Sequence, residues 1–414
     1  MSLTEEKCLP TPIAAIGAGN RMRTYMHYVA THPEKVCLVA IAEPDRARRE
    51  AMRKQFKLPA SAAFSSYDKL FASDIYFKAA FIATPGNEHK RPALMALDRG
   101  CHVLLEKPIA QNYEDCLEIA SKAKEKNLIV SICHVMRYHP MFMKIKELID
   151  SGHYGRVITV SHTEEVGIDR ATHSYVRGYL NSETSSNPML LDKSCHDVDF
   201  LLWITGAHCK SLSSFGSRLW FRSDNAPEGS AERCTLCDIE DRCPFSAIDL
   251  YRRRREWIRN FVPGPGQTVT DVVEEELASG RFGRCVYRCD NDVVDNQVVT
   301  MRMTDGMLIT LTMNVFTQTD CRTIEIGMTE GQITCNGMTV NARHFRSRKT
   351  ETYDFKPLMS VGFHGGADMA LVEDFIDAVS DGHIPSTDIS GALEAHRIIF
   401  EAERSRKTGE TVNL

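Results

Sequence analysis

Pro12-Ile13-Ala14-Ala15-Ile16-Gly17-Ala18-Gly19-Asn20-Arg21-Met22 decides the fold. A short apolar run meets a G-x-G turn, and residues 23–31 have the composition of a helix. Strand, glycine turn and helix in that order form the setting of a dinucleotide-binding turn. Gly17 allows the tight turn, and Gly19 lets the backbone approach a pyrophosphate at a helix N-terminus. Met22 stands where the third glycine usually falls, so the pattern is G-x-G-x-x-M. A bare G-x-G also arises by chance, so the apolar runs downstream of it carry the weight.

Working outward, the next apolar run, residues 36–42, ends at Glu43, 26 residues after Gly17. That is near the place of the acid that accepts hydrogen bonds from an adenosine ribose. A carboxylate there repels a 2′-phosphate and favours NAD. Arg46, Arg48 and Arg49 come next, reading first as a solvated helix face but leaving NADP open. A third run, residues 79–83, ends in Thr84-Pro85 and then Gly86-Asn87-Glu88-His89. The fourth is His102-Val103-Leu104-Leu105-Glu106-Lys107-Pro108. Pro108 cannot donate to a ladder and stops the strand. Glu106 and Lys107 are left at a carboxyl end, where open α/β sheets bind ligands. Standing alone, such a pair is a surface ion pair. A helix over 113–126 and a strand over 128–133 complete the alternation, which predicts a Rossmann-like, doubly wound parallel sheet in residues 1–133.

Beyond residue 133 the pattern changes to an α/β domain, residues 134–414, with a large open, mostly antiparallel sheet. A helix is expected over 141–150 and another over 190–205, where Asp192 and His196 lie one turn apart. Residues 293–342 are strand-rich, with a hairpin at Thr304-Asp305-Gly306. Two helices, about 368–380 and 391–406, close the chain. An open sheet needs a cover, from helices or from a second subunit. Between these parts, residues 222–283 read as a polar section holding clustered cysteines and the run Arg252-Arg253-Arg254-Arg255, taken as a solvated helix face.

The 414 residues carry 50 basic and 55 acidic side chains, a net charge of −5. That balance gives no reason to expect nucleic acid or an anionic membrane as partner. No apolar run reaches transmembrane length, and the charged residues 1–7 lack the apolar core of a signal peptide. The expected setting is the reducing cytoplasm. There the 14 cysteines, where clustered, read as metal ligands before disulfides. Cys234, Cys237 and Cys243 give C-x2-C-x5-C. A structural zinc needs four ligands. Cys289 is the preferred fourth, with Cys285, His208 and Cys209 as the other neighbours. The spacing fits none of the common iron–sulfur patterns, and three thiols without metal are the alternative.

The ordered set Ile16 to Arg21, Ala83-Thr84-Pro85 with His89, Glu106-Lys107-Pro108, Arg137-Tyr138-His139-Pro140, Asp192 to Asp199 and a terminal Gly409-Glu410-Thr411-Val412 resembles the glucose–fructose oxidoreductase/inositol dehydrogenase/MocA family. The resemblance implies a Rossmann domain, then an α/β domain whose open sheet commonly forms the interface of a homodimer or homotetramer. It implies oxidation or reduction of a sugar, inositol or related polyol with NAD(P). It assigns the cofactor to Gly17, Gly19, Asn20, Arg21, Met22, Glu43, Thr84, Pro85, Asn87, His89, Glu106 and Lys107. In that reading Lys107 donates to the reacting oxygen, His196 is the base, and Asp192 orients it or accepts a substrate hydroxyl. Arg137, His173, Tyr175, Arg177, Asn181, Lys193, His364 and Asp368 are the candidate substrate contacts. Two departures stand out: Ser186-Asn187-Pro188 replaces the family's glycines ahead of the Asp…His helix, and residues 222–260 are an extra segment. The same residues would serve a redox-neutral glycosidase or lyase working through a transient ketone. A dinucleotide-binding sensor is the non-enzymatic reading, and retention of Lys107 and His196 argues against it.

Overall fold

Short, wholly apolar runs pair in parallel at the start of the chain, as buried strands do. In the computed structural model, which describes residues 10–264, 266–359 and 362–414, they are β1 (Thr11–Ile16), β2 (Val36–Ala42), β3 (Ala63–Phe64), β4 (Ala79–Ile82), β5 (His102–Leu105) and β6 (Val130–Ile132). Their order is β3-β2-β1-β4-β5-β6, all parallel. Strand order reverses between β1 and β4, which opens a crevice at their carboxyl ends. β3 has two residues, too few for any periodicity to announce it. The helices expected at 23–31 and 113–126 occupy Asn20–Thr31 and Tyr113–Lys126.

One face of this sheet is covered by the helix Asn20–Thr31 together with the helix Ala367–Asp381, which the domain boundary at residue 133 assigns to the second half of the chain. Leu371, Phe375 and Val379 share a core with Ile13 and Phe81, and the Phe81 and Phe375 rings meet edge to face at 5.8 Å. The helix thus packs on the first sheet although it lies late in the chain.

The second sheet has nine strands in the order β14-β13-β12-β11-β7-β10-β9-β8-β15. They are β7 (Val157–Val166), β8 (Cys209–Ser217), β9 (Asn296–Met303), β10 (Leu308–Asn314), β11 (Asp320–Met328), β12 (Gly331–Cys335), β13 (Thr339–His344), β14 (Thr350–Asp354) and β15 (Val412–Asn413). Among the described residues of this sheet, only β7 and β10 pair in parallel. Strict alternation buries one face, as in β9, where Val299, Met301 and Met303 point inward and Val298, Thr300 and Arg302 outward. Helices Pro140–Asp150, Met189–Thr205 and Ile389–Thr408 share that core. The outer face carries exposed Ile158, Phe215, Val298 and Leu308.

Residues 222–283 are not merely polar: they fold as a lobe with its own core, including Ile248, Leu250, Tyr251, Phe261, Leu277 and Phe282. The arginine run lies on its surface, where Arg253 meets Glu240 at 2.6 Å, Arg254 meets Asp169 at 2.5 Å, and Arg252 pairs with Glu274. Among the described residues no helix is long and apolar enough to cross a membrane.

Candidate active site

The glycine turn joins β1 to the helix Asn20–Thr31. Gly17 has φ +91°, and a Cβ there would lie 2.7 Å from the Ala83 carbonyl oxygen, so only glycine fits. Gly19 is the N-cap and supplies no side-chain cap; a Cβ on it would meet nothing within 4 Å. The helix therefore begins without a side-chain cap and with room beside Gly19, as an anion site requires. Glu43 stands at the end of β2 with its carboxylate turned onto the turn, accepting from the Ala18 N–H at 2.6 Å and the Asp45 N–H at 2.9 Å. Asn20, Pro85 and Asn87 are exposed beside the crevice. Thr84 donates its hydroxyl to the Glu88 carbonyl at 3.2 Å, and Met22 is buried beneath the turn. His89 is buried between two carbonyls, Pro108 O at 2.7 Å and Thr84 O at 3.0 Å. Burial holds its imidazole below the ordinary range.

Arg21 does not present its guanidinium to the crevice. Its Nε meets Glu106 Oε1 at 2.6 Å and its Nη2 meets Asp368 Oδ1 at 2.6 Å and Tyr25 Oη at 2.8 Å. Burial alone would push the Glu106 carboxyl up; the charge of Arg21 and the Tyr25 hydroxyl outweigh it and hold the acid ionised. Glu106 thus fastens the strand end, while its neighbour faces the other way.

That neighbour, Lys107, reaches from the end of β5 to the helix Met189–Thr205, donating from Nζ to the Asp192 carbonyl at 2.5 Å. Asp192 accepts the Tyr175 hydroxyl on Oδ2 at 2.6 Å. His196 lies one turn later on the same face, and its buried Nδ1 has no hydrogen-bond partner among the described residues. Burial lowers the Lys107 ammonium's pKa, but the charges of Asp192 and Glu106 oppose it, and the net shift is upward. His196 is pushed well down, by burial first and then by the charges of Lys107 and the neighbouring His134. At neutral pH the site therefore pairs a cationic donor with an uncharged imidazole free to accept a proton. Behind it, the His134 ring lies 5.6 Å from that of His196, and its Nδ1 is 3.0 Å from Asp199 Oδ1.

The candidate substrate contacts divide. Tyr175, Lys193 and His364 belong to this neighbourhood. Lys193 Nζ is held by Glu164 at 2.8 Å, and His364 Nδ1 by Asp368 at 2.7 Å. Arg137 is instead committed to Asp199, through Nε at 2.8 Å and Nη2 at 2.6 Å. His173 is stacked on Phe282 at 4.8 Å within the lobe, its pKa held down to about 4 by burial. Asn181 donates to Asp290 at 3.0 Å. Arg177 is completely buried, and Asp368 is buried against Arg21.

Sequence reading missed Arg322 and Glu164, directly opposite one another on β11 and β7. Arg322 Nε meets Asp197 Oδ1 at 2.7 Å and Glu164 Oε2 at 2.9 Å, and its charge also depresses the His196 pKa. Burial pushes the Glu164 carboxyl up and the Lys193 amine down. A signal existed: Glu164 falls at an inward position of β7, in phase with Val160 and Val166. Of the thiol candidates, Cys234, Cys237 and Cys243 line one small cavity, with Cys285 as the fourth sulfur. Cys289 turns its Sγ to the Cys285 carbonyl at 3.2 Å. Among the described residues no three His, Cys, Asp or Glu side chains converge, as they stand, closely enough to hold an ion.

Residues 12–148 match the Gfo/Idh/MocA oxidoreductase family, NAD-binding Rossmann fold. Residues 142–232 match the GFO/IDH/MocA C-terminal domain. The chain is 22% identical over 381 residues to a putative oxidoreductase, YteT, of Bacillus subtilis, covering 85% of this chain and 84% of that protein. It is 25% identical over 202 residues to an inositol 2-dehydrogenase of Corynebacterium glutamicum, covering 48% of this chain and 56% of that one. A crystal structure of an oxidoreductase from Agrobacterium radiobacter in complex with NAD+, L-tartaric acid and magnesium shares the fold, with TM-score 0.72, 16% identity, and 97% and 98% of the two chains covered.

Proposed function

Because the chain belongs to the Gfo/Idh/MocA family of NAD-binding oxidoreductases, we propose that it is a dehydrogenase acting on a ring secondary hydroxyl of a sugar, inositol or related polyol, with NAD rather than NADP. One observation carries the reading: Lys107, from the end of a Rossmann strand, meets the helix that bears Asp192 and His196. The cofactor suits the residues present. Gly19 and the uncapped helix behind it offer N–H donors to a pyrophosphate, and the Glu43 carboxylate at the end of β2 disfavours a 2′-phosphate. NAD supplies hydride acceptance when bound.

The chain's own residues handle the proton. The Lys107 ammonium donates to the carbinol oxygen and stabilises negative charge developing there. His196, uncharged, takes the hydroxyl proton on a ring nitrogen. Asp192, steadied by Tyr175, positions an adjacent hydroxyl. Lys193 and His364 lie where further hydroxyls of a polyol would be read. The outer face of the nine-stranded sheet, with Phe215 beside Val298, is the surface on which a second copy packs.

The experiment is a panel of inositols, aldoses, uronates and glycosides, each with NAD, monitored by NADH absorbance. Stoichiometric NADH with an inositol or free sugar is expected. Aglycone release from glycosides without net NADH would overturn the reading in favour of a redox-neutral elimination.

A further inference from the structure

The inserted lobe holds a cluster that the hydride chemistry does not use. Cys234, Cys237, Cys243 and Cys285 line one cavity together with Arg177. The cavity is small, about 10 Å³, room for one water-sized body and not for a four-iron cluster. Cys234 and Cys237 lie on one short turn, Cys243 closes the next, and Cys285 arrives from beyond the helix Val269–Ala278. Four cysteines from three separate stretches of chain therefore line one cavity.

Arg177 is the independent sign that an anion belongs there. It is wholly buried. Its Nε donates to Arg284 O at 2.8 Å, and its Nη2 to Phe245 O at 2.6 Å and toward Cys234 Sγ at 3.8 Å. Among the described residues its Nη1 has no hydrogen-bond partner and no carboxylate lies within ion-pair distance. A buried, uncompensated cation is strongly unfavourable. Glu240 also lines the cavity but is engaged by Arg253 at 2.6 Å. The Ala247 N–H points at Cys234 Sγ at 3.4 Å, so this sulfur already has two N–H donors.

We propose that Cys234, Cys237, Cys243 and Cys285 bind one structural zinc ion as four thiolates, with Arg177 offsetting the charge of the centre. Binding breaks four S–H bonds, releases four protons to solvent and forms four Zn–S bonds of ~2.3 Å. Four thiolates and one dication leave a net charge of −2, which the guanidinium partly neutralises. The sulfurs surround the cavity without converging, so loading turns them inward about their Cα–Cβ bonds between staggered positions. Cys289 stands outside the set, its thiol engaged by the Cys285 carbonyl.

The ion has a structural task that reaches the reacting centre. Residues 171–177 form one wide helical turn. His173 and Arg177 enter the lobe, while Tyr175 reaches Asp192. Fixing the lobe around Arg177 fixes the turn that presents Tyr175.

The test is metal analysis of the full chain expressed with zinc and iron both supplied. About one zinc per chain is expected in the purified protein. Cys243→Ser and Cys285→Ser should lower that content at least tenfold, while Cys289→Ser keeps it. Wild-type protein without zinc, iron with acid-labile sulfide in its place, or zinc retained in Cys285→Ser and lost in Cys289→Ser would each overturn the proposal. Should the serine variants fail to fold, alkylation mapped by mass spectrometry on the wild type decides. Cys237 and Cys243 should be protected until a chelator is added, and reactivity unaffected by the chelator would overturn it.

Discussion

Lys107 and His196 divide the proton work because their surroundings push them in opposite directions. The lysine is held above its ordinary pKa and the histidine well below. Two measurements probe this division. A base that acts as free imidazole stays active until acid protonates it, so a lowered pKa moves the acid limb of kcat/KM to well below pH 6.5. The alkaline limb, set by loss of the Lys107 proton, should lie above pH 10.5. An acid limb centred at or above 6.5 in the free enzyme would contradict the assignment. Replacing Lys107 by Met should lower kcat by about 10²–10⁴-fold, with NADH affinity, read by fluorescence titration, within a few-fold of wild type. Lys107 was readable in advance because a strand end, a glycine turn and an Asp…His pair constrain one another. Arg21 was not. Its partner Asp368 lies 347 positions away, and nothing local distinguishes a phosphate-facing arginine from one that clamps two carboxylates.

Among the elements, the glycine turn separates two roles that its sequence joins. Gly17 is needed by the fold: a side chain there meets positive φ and the Ala83 carbonyl. Gly17→Ala should cost about 3 kcal/mol of stability by denaturant titration. Gly19 is needed only by the ligand, its missing Cβ facing open space. Gly19→Ala should melt within a degree or two of wild type and yet weaken NADH binding at least tenfold. The turn at residues 171–177 makes a similar division. Tyr175→Phe removes one hydroxyl from Asp192 and should lower kcat by about tenfold with unchanged near-UV circular dichroism. Long helices such as Met189–Thr205 were legible almost to the residue, because their apolar spacing persists over several turns. The 171–177 turn was not, being wide-pitched and too short for any repeat to register.

For the molecule as a whole, composition and strand grammar were enough for two domains and an open sheet, since each rests on patterns within a few dozen residues. The lobe was under-read. Ile248, Leu250, Tyr251, Phe261 and Phe282 have no common period, and short turns and a single regular helix gather them into a core. The outer sheet face makes the prediction that belongs to this scale. Leu308 is 48% exposed and Val298 37% exposed in the single chain. Sedimentation velocity should show a dimer or larger species, and Leu308→Glu should shift it toward monomer with little change in thermal stability.

The helix Ala367–Asp381, which covers part of one face of the first sheet, also sets a schedule for biosynthesis. Phe81 leaves the ribosome nearly three hundred residues before Phe375, the ring it packs against. At translation rates of roughly 5–20 residues per second, the part of that face that Phe375 covers waits roughly 15–60 s for its partner. A chain terminated before Ala367 would never be relieved of that exposure. Such stalled fragments should be held by chaperones or degraded, and the full-length protein should owe its yield in cells to whatever shields that face during the wait.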